Sequence, residues 1–511
     1  MTQTHLLETF PCDKYDLLSR EELVALHRGE QSIRKQLEAE VQRLTHLHAE
    51  TKQKSLLLEG LYVTVKNKFF GKSSEKSPRA PSKNSKDKKT PVKRLLLPSE
   101  RYPNVPLIER EITLDVLPSC KACGSEMADS GMTEDSEFLT VIPRQILVVR
   151  QMRHTYRCGC CHGDLQTTPS PPRITPGSAY SDEMAIDVAM SKYCDLIPVE
   201  RYAAMAAREG VKGVPAQSLI QTTHDLADFA EGAYDKLKAE IMSAEVLHAD
   251  ETPHRMLEGD KKSHWYLWGF STAKTSYFKL HDTRSGDVAS TLLRDSACRF
   301  LVSDVFSGYA KAVRETNEYR HRKGHPLVRN VYCNAHARRK FKEALEMFAE
   351  AEFFIERYAK IYHLESMAKG TTLDEVKAYR LQMKPLFLEM LERAMHLAVE
   401  FPDKSSMGKA MSYFLKNYES LIYFLENSNI PIDNNAQERQ MRSPVIGRKT
   451  WYGTHSVRGA KTAAVLFSLV ESCKLNRVNP REYFRALVEE LHAKKPVFTP
   501  ADFKNRSIPT G

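Results

Sequence analysis

Val246-Leu-His-Ala-Asp-Glu-Thr-Pro253 is a short apolar strand that ends on a carboxylate, and the reading of the whole chain works outward from it. His264–Phe270 and Ser276–His281 follow as the two arms of a β-meander. Arg299-Phe-Leu-Val-Ser-Asp304 is a second apolar strand ending on an Asp, and Leu327–Cys333 is a further strand leading into a helix that opens at Asn334-Ala-His-Ala-Arg-Arg-Lys-Phe341. Two neighbouring strands that each deliver an Asp at the carboxyl end pin a carboxylate pair on a rigid sheet. Taken singly, Asp250 and Asp304 read equally well as turn caps after strands. As a pair they suit a hard dication, because Mg²⁺ prefers oxygen ligands.

A third carboxylate lies far downstream, in Pro431-Ile-Asp-Asn-Asn-Ala-Gln-Glu-Arg-Gln-Met-Arg442. Asp433 or Asn434 makes a natural helix N-cap, which places Glu438 in the first turns of that helix. Asp433 and Glu438 are rival candidates for a metal ligand, and a side chain committed to capping backbone N–H groups is poorly placed to bind an ion as well. Phosphoryl transfer on DNA uses two divalent ions about 4 Å apart, which three such carboxylates can hold. Arg442, one turn beyond Glu438 on the same face, is placed to pair with the carboxylate or to hold a phosphate. Arg448, Lys449 and Trp451 put basic and aromatic groups side by side, as a DNA backbone and an unstacked base require. The plainer reading of that segment is a basic turn with a buried Trp.

Toward the amino terminus, Ser181–Ile241 is mostly helical. One run covers about Pro198–Glu209, Gly210 breaks it, and a second starts near Val214-Pro215 and continues toward Lys238. A short Gly-containing turn between two helices fits a helix-turn-helix DNA reader, or plain scaffolding. Before it come Cys120-Lys-Ala-Cys123 and Cys158-Gly-Cys-Cys161, separated by a strand-like stretch from Phe138 to Tyr156. Two Cys-x-x-Cys knuckles supply the four soft ligands of a structural Zn²⁺ site, with Cys120, Cys123, Cys158 and Cys161 as the ligands and Cys160 as an alternative to Cys161. From Gly71 to about Arg94 the chain turns to Lys, Ser and Pro, the composition of a flexible basic linker that touches DNA phosphates or is simply solvated. Leu23, Leu26, Ile33, Leu37, Leu44 and Leu47 mark a long amphipathic helix running to about Tyr62, a coiled-coil element suited to self-association or to packing on its own chain.

The 511 residues are too many for one ordinary core and point to several folded units. A net charge of +10 favours a polyanionic partner such as nucleic acid. No stretch approaches the roughly 20 apolar residues of a membrane span, and the amino terminus has no basic-then-apolar signal pattern, so a cytoplasmic location and no membrane partner are expected. Ten cysteines, four of them in paired knuckles, then indicate metal binding rather than disulfides.

Val246–Pro253, Val302–Tyr309, Tyr332–Phe341 and Ile432–Trp451 together resemble the transposases of the insertion-sequence sixty-six family. Phe70-Gly-Lys-Ser-Ser-Glu-Lys76, the zinc knuckles, Ile174-Thr-Pro-Gly177 through Ser191-Lys-Tyr193, and Ser468–Pro480 are also similar to its pattern, in the family's order. The resemblance implies a ribonuclease-H-like catalytic domain with a helical insertion. It also implies an Asp–Asp–Glu triad of Asp250, Asp304 and Glu438 holding Mg²⁺ or Mn²⁺, and cleavage and strand transfer of double-stranded DNA at element terminal repeats and target. A homo-oligomer is expected, and accessory proteins of the same element are candidate partners.

The fold class expected is multi-domain α+β. Its parts are a coiled-coil arm (1–70), a basic linker (71–105), a zinc ribbon (106–170), a helical DNA-binding segment (171–241), the catalytic α/β domain (242–475, with its insertion at about 340–430) and a tail (476–511). Two other functions remain open at this point: a DNA-binding regulator derived from a transposase, and a ribonuclease-H-like nuclease that cuts without joining.

Overall fold

The computed structural model describes residues 19–70, 97–103, 105–109, 118–119, 121–127, 136–141, 144–158, 160, 165–257 and 264–506. The expected linker falls largely on 71–96, outside the described residues, as do Cys120 and Cys161. Helix and sheet are mixed, as an α+β chain requires, and the chain divides into two compact units. α1 (Arg20–Phe70) is a single long helix whose Ile33, Leu37, Val41, Leu44 and Leu47 are exposed. The smaller unit, 73–152 with 208–211, contains α2 (Pro98–Arg101) and an isolated bridge between Ser119 and Glu126.

Among the described residues of the stretch expected as a strand over 138–156, only Thr155 and Tyr156 are in a strand. Regular pairing is confined to β1 (Thr155–Arg157) against β2 (Leu165–Thr167). Val141, Leu147 and Val148 of the preceding stretch are exposed. Strand formation needs a paired neighbour, so β-propensity alone does not make a segment a strand.

In the larger unit, α3 (Asp182–Tyr193), α4 (Val199–Arg208), α5 (Ala216–Phe229) and α6 (Glu231–Ser243) precede the sheet. The run expected to continue from 214 toward Lys238 breaks at Ala230, which closes α5 and opens α6. The sheet comprises β3 (Val246–Arg255), β4 (His264–Ser271), β5 (Ser276–His281), β6 (Phe300–Ser303) and β7 (Arg329–Tyr332), in the order β5-β4-β3-β6-β7. β3, β4 and β5 form an antiparallel meander, whereas β6 runs parallel to β3 and β7 parallel to β6. The parallel pairs need crossovers, and α7 (Asp287–Leu293) and α8 (Ser307–Lys323) supply them.

Buried Arg320 of α8 holds that crossover together. Its guanidinium donates to the carbonyls of Leu293 (2.6 Å), Cys298 (2.7 Å), Pro326 (2.9 Å) and Ser296, so the loop entering β6 is fixed by a charge that is fully hydrogen-bonded.

After β7 the chain leaves the sheet for α9 (Asn334–Leu345), α10 (Ala351–Ala368), α11 (Leu373–Ala398), α12 (Ser406–Lys416) and α13 (Tyr418–Ile422). These helices bury Phe341, Phe354, Tyr358, Phe387, Phe414 and Phe424 among themselves. α14 (Asn435–Trp451), α15 (Val457–Asn476), α16 (Pro480–His492) and α17 (Pro500–Arg506) complete the chain. No described helix is long and apolar enough to cross a membrane.

Side chains alternate across a strand, and the two faces of the sheet have different covers. Leu247, Ala249, Trp268 and Phe270 bury against α7 and α8, in a core with Val288, Leu293, Tyr309 and Ala312. Leu267 and Phe278 face the other way, against Met441 of α14 and Val465, Leu466 and Leu469 of α15. Gly269 lies on this second face, where an added Cβ would overlap Gln437 Nε2. The absent side chain is what lets α14 lie down on β4.

Candidate active site

Asp250 is paired in register with Gly269, so its side chain shares the face covered by α14. The β3–β6 register pairs His248 with Val302; continued two residues further, it sets Asp250 opposite Asp304, just past the end of β6. Both carboxyls are shifted upward. Asp250 is raised to about 8, first by burial, then by the negative charges of Glu251 and Asp304, with Glu438 adding to them. Asp304 is raised by burial, with His336 and Arg284 acting against the shift. Burial disfavours the charged form and like charges compound it, which is the condition of carboxylates gathered around a cation position.

Glu438 comes from the first turns of α14, whose entry is fixed by three buried contacts of Asn434. The Asn434 side chain accepts from His248 Nδ1 (2.8 Å) and donates to the Ala249 carbonyl (2.8 Å), and its backbone N–H donates to Cys333 Sγ (3.2 Å). Asn434 is therefore the N-cap residue by position, but its side chain makes no cap hydrogen bond. The capping is done by Asp433, whose Oδ1 accepts from Asn435 N–H (3.1 Å) while Oδ2 accepts from Tyr362 (3.1 Å) and from the Asn435 amide (2.7 Å). Asp433 is thus occupied with three donors. Glu438 Oε1 is buried and has no hydrogen-bond partner.

Three residue roles went unread in the sequence. Glu251 points to the opposite face from Asp250 and is buried, accepting from Tyr309 (2.7 Å) and from Arg284 Nη2 (2.6 Å) and Nε (3.0 Å). Its carboxyl is raised by burial and drawn back by those donors. His336 Nδ1 stands 3.7 Å from Glu438 Oε1. Cys333 opens the same turn, three residues before His336 along a helix face, and that spacing was the available signal.

Divalent cations suit this donor set. Asp304 Oδ1, Glu438 Oε1 and His336 Nδ1 are all buried without hydrogen-bond partners, and a buried polar atom left so is costly unless something else satisfies it. Asp250, Asp304 and Glu438 bring hard oxygens, the donors that Mg²⁺ and Mn²⁺ prefer.

The basic residues are distributed around the same helix. Arg442 and Lys449 are exposed, and among the described residues no ion pair joins Arg442 to Glu438. Arg448 donates to Thr252 Oγ1 (3.2 Å), two residues beyond Asp250 on the same strand face. Residues 446–451 are the last turns of α14 and not a turn. Trp451 stacks on Phe467 (centroids 6.4 Å apart) and meets Tyr193 edge-on (6.4 Å), with Lys192 Nζ 5.6 Å from its ring, so its indole is spent largely on packing.

Comparison with known proteins gives a direct result. Residues 177–462, more than half of the chain, match the family described as Transposase IS66 family, and residues 118–162 match the zinc-finger binding domain of transposase IS66. The second match contains all four knuckle cysteines. The chain is 26% identical over 421 residues to the uncharacterized protein y4hP of Sinorhizobium fredii (strain NBRC 101917 / NGR234), covering 76% of this chain and 73% of that one. It is 27% identical over 387 residues to the uncharacterized protein y4jD of the same organism, covering 73% and 74%.

Proposed function

Because this chain belongs to the IS66 transposase family, we propose that it cuts the ends of a mobile DNA element and joins them to target DNA, with Asp250, Asp304 and Glu438 as the catalytic residues. The observation that supports this reading is the β3–β6 register, which continued two residues sets Asp250 opposite Asp304, beside α14 with the unpartnered Glu438 Oε1. Burial and the charges of Glu251, Asp304 and Glu438 raise the Asp250 carboxyl in keeping with it. Mg²⁺ or Mn²⁺ held by Asp250, Asp304 and Glu438 would activate the attacking oxygen and neutralise charge on the phosphoryl group.

The chain's own residues then position and orient. The sheet order β5-β4-β3-β6-β7, with an antiparallel meander extended by two parallel strands, supports a ribonuclease-H-like domain into which α9–α13 are inserted. Asn434 and His248 hold α14 to β3 and thereby hold Glu438 to Asp250. Arg442, Arg448 and Lys449 offer positive charge along the helix that carries Glu438, where a DNA backbone would be positioned. Cys120, Cys123, Cys158 and Cys161 would hold a structural Zn²⁺ in the zinc-finger domain. The exposed apolar stripe of α1 supports self-association, which a reaction on two element ends requires.

The test pairs cleavage of intact terminal-repeat DNA with strand transfer of the pre-cleaved form into plasmid. Glu438→Gln should lose both cleavage and transfer while still binding DNA, and Asp433→Asn should keep substantial activity, because Asn caps a helix about as well as Asp. Cleavage without transfer by the unaltered chain would favour a nuclease. Full activity of Glu438→Gln together with an inactive Asp433→Asn would move the third ligand to Asp433.

A further inference from the structure

We propose that the Glu438 corner of the site is a mixed-donor metal position, in which His336 and Cys333 join Glu438 in holding a transition-metal dication of the Zn²⁺/Co²⁺ class in preference to Mg²⁺. The proposal deepens the reading of this site as a metal-dependent centre and rests on it only for Glu438 as a ligand.

The donor atoms of Cys333, His336 and Glu438 all lie within 4.8 Å of one another. They come from two elements locked together at this point. Cys333 is fixed at the end of β7 by its N–H to the Ser303 carbonyl (3.0 Å), and Asn334 N–H donates to the Ile432 carbonyl (3.3 Å) just before α14. Asn434 N–H reaches Cys333 Sγ itself. The three donors therefore converge through backbone contacts and not through flexible side chains alone.

A hydrogen bond does not account for the arrangement. At 3.7 Å the His336–Glu438 separation is too long for a hydrogen bond, and Nδ1 and Oε1 are both buried with no other partner. Two ligands of one ion stand apart at about this distance when each is roughly 2.0–2.2 Å from the metal. The donor types decide the ion: imidazole and sulfur favour zinc, cobalt and their neighbours, whereas Mg²⁺ favours oxygen only. Coordination by Cys333 releases its thiol proton to solvent and leaves no change in oxidation state.

The experiment is a Co²⁺ titration of the full chain stripped of transition metal with chelator, in excess Mg²⁺, read by absorption and compared with the Cys333→Ser/His336→Ala double variant. Signal from Co²⁺ in the zinc finger is subtracted with that variant, which retains the finger. The expected result is one further Co²⁺ per chain with a sulfur-to-cobalt charge-transfer band. Cys333→Ser should remove the band, and His336→Ala should weaken Co²⁺ by more than the roughly tenfold that loss of even an outer partner costs. His336→Asn, which keeps a polar side chain on the helix, should weaken it likewise if folding is the concern. A Co²⁺ spectrum without the sulfur band, or equal affinity in the unaltered chain and both His336 variants, overturns the proposal. Asp250→Asn separates the two readings: it should abolish Mg²⁺-dependent cleavage and leave the Co²⁺ band in place. Retained cleavage in that variant would count against the catalytic assignment alone.

Discussion

His248 Nδ1 and Asn434 Oδ1 lie 2.8 Å apart inside the protein, joining the central strand to the N-cap residue of the helix that carries Glu438. His248 precedes Asp250 by two residues on one strand face, and Asn434 precedes Glu438 by about one helical turn. This buried hydrogen bond, with those of Asn434 to Ala249 and Cys333, thus ties the element carrying Asp250 to the one carrying Glu438. Asn434→Ala removes it, together with the bond to the Ala249 carbonyl, and leaves buried groups unsatisfied. The expected cost is about 1–3 kcal/mol of stability, with a larger fall in cleavage rate than in DNA affinity. Chemical denaturation and single-turnover cleavage on one preparation check this; unchanged cleavage would remove the positioning role.

The raised Asp250 carboxyl makes a prediction of opposite sign for stability. A carboxyl lifted to about 8 by folding binds its proton more tightly in the folded state. Its contribution to the stability of the metal-free protein should therefore be fully present below the ordinary carboxyl range and be lost as pH rises toward about 8. Asp250→Asn removes the charge and should raise metal-free stability at pH 8 by at least ~1 kcal/mol while abolishing cleavage. Melting temperatures across pH in chelator read the effect, and added Mg²⁺ should stabilise the unaltered chain more than the variant.

Acid should act through a different group. His254 is pushed down to about 4 by burial and by the neighbouring charge of Arg448, and its Nε2 lies 3.2 Å from Thr454 Oγ1. The unfolded chain then binds the proton more readily than the folded one. Its contribution is complete above the ordinary histidine value and is lost as pH falls from about 6.5 to about 4. His254→Gln should flatten that part of the stability profile; an unchanged slope would assign the acid sensitivity elsewhere.

Gly269 is where α14 meets the sheet, and an added Cβ would overlap Gln437 Nε2 and crowd Met441 Sδ. Gly269→Ala should cost about 1–3 kcal/mol by overpacking. Because the displaced helix carries Glu438, cleavage should fall beyond what the stability loss explains. Comparison with an equally destabilising change in the α9–α13 core, such as Phe414→Leu, separates the two effects.

Chelation should divide the molecule. The knuckle cysteines lie within the matched zinc-finger domain at 118–162, and metal binding drives the folding of such small modules. Removing zinc, or changing Cys123 to Ser, should cost terminal-repeat binding and leave the main melting transition of the larger unit in place. Loss of the main transition together with the zinc would count against this.

Local chemistry made much of this protein legible from its sequence. Val246–Asp250 and Arg299–Asp304 read as strands because short apolar runs ending in a polar turn residue have few other folds available. Lys340–Asn429 read as amphipathic helices because its apolar residues recur at helical spacing. The knuckles read as zinc ligands because four paired thiols suit little else. What the sequence did not contain was adjacency. The period-two alternation of β3 puts Asp250 and Glu251 on opposite faces, but only the packed helices α14 and α8 determine which of the two meets Glu438 and which meets Tyr309. Asn434 looked like a cap and is instead a cross-link, because His248, 186 residues away in the chain, offers it a buried donor. The described residues of 138–154 carried β-propensity but are in no strand, and pairing cannot be supplied by one segment. His336 and Cys333 were in view throughout, yet their relation to Glu438 exists only because β7 and α14 close on each other. Residue type and spacing determine what each segment is able to do; long-range packing decides which side chains meet.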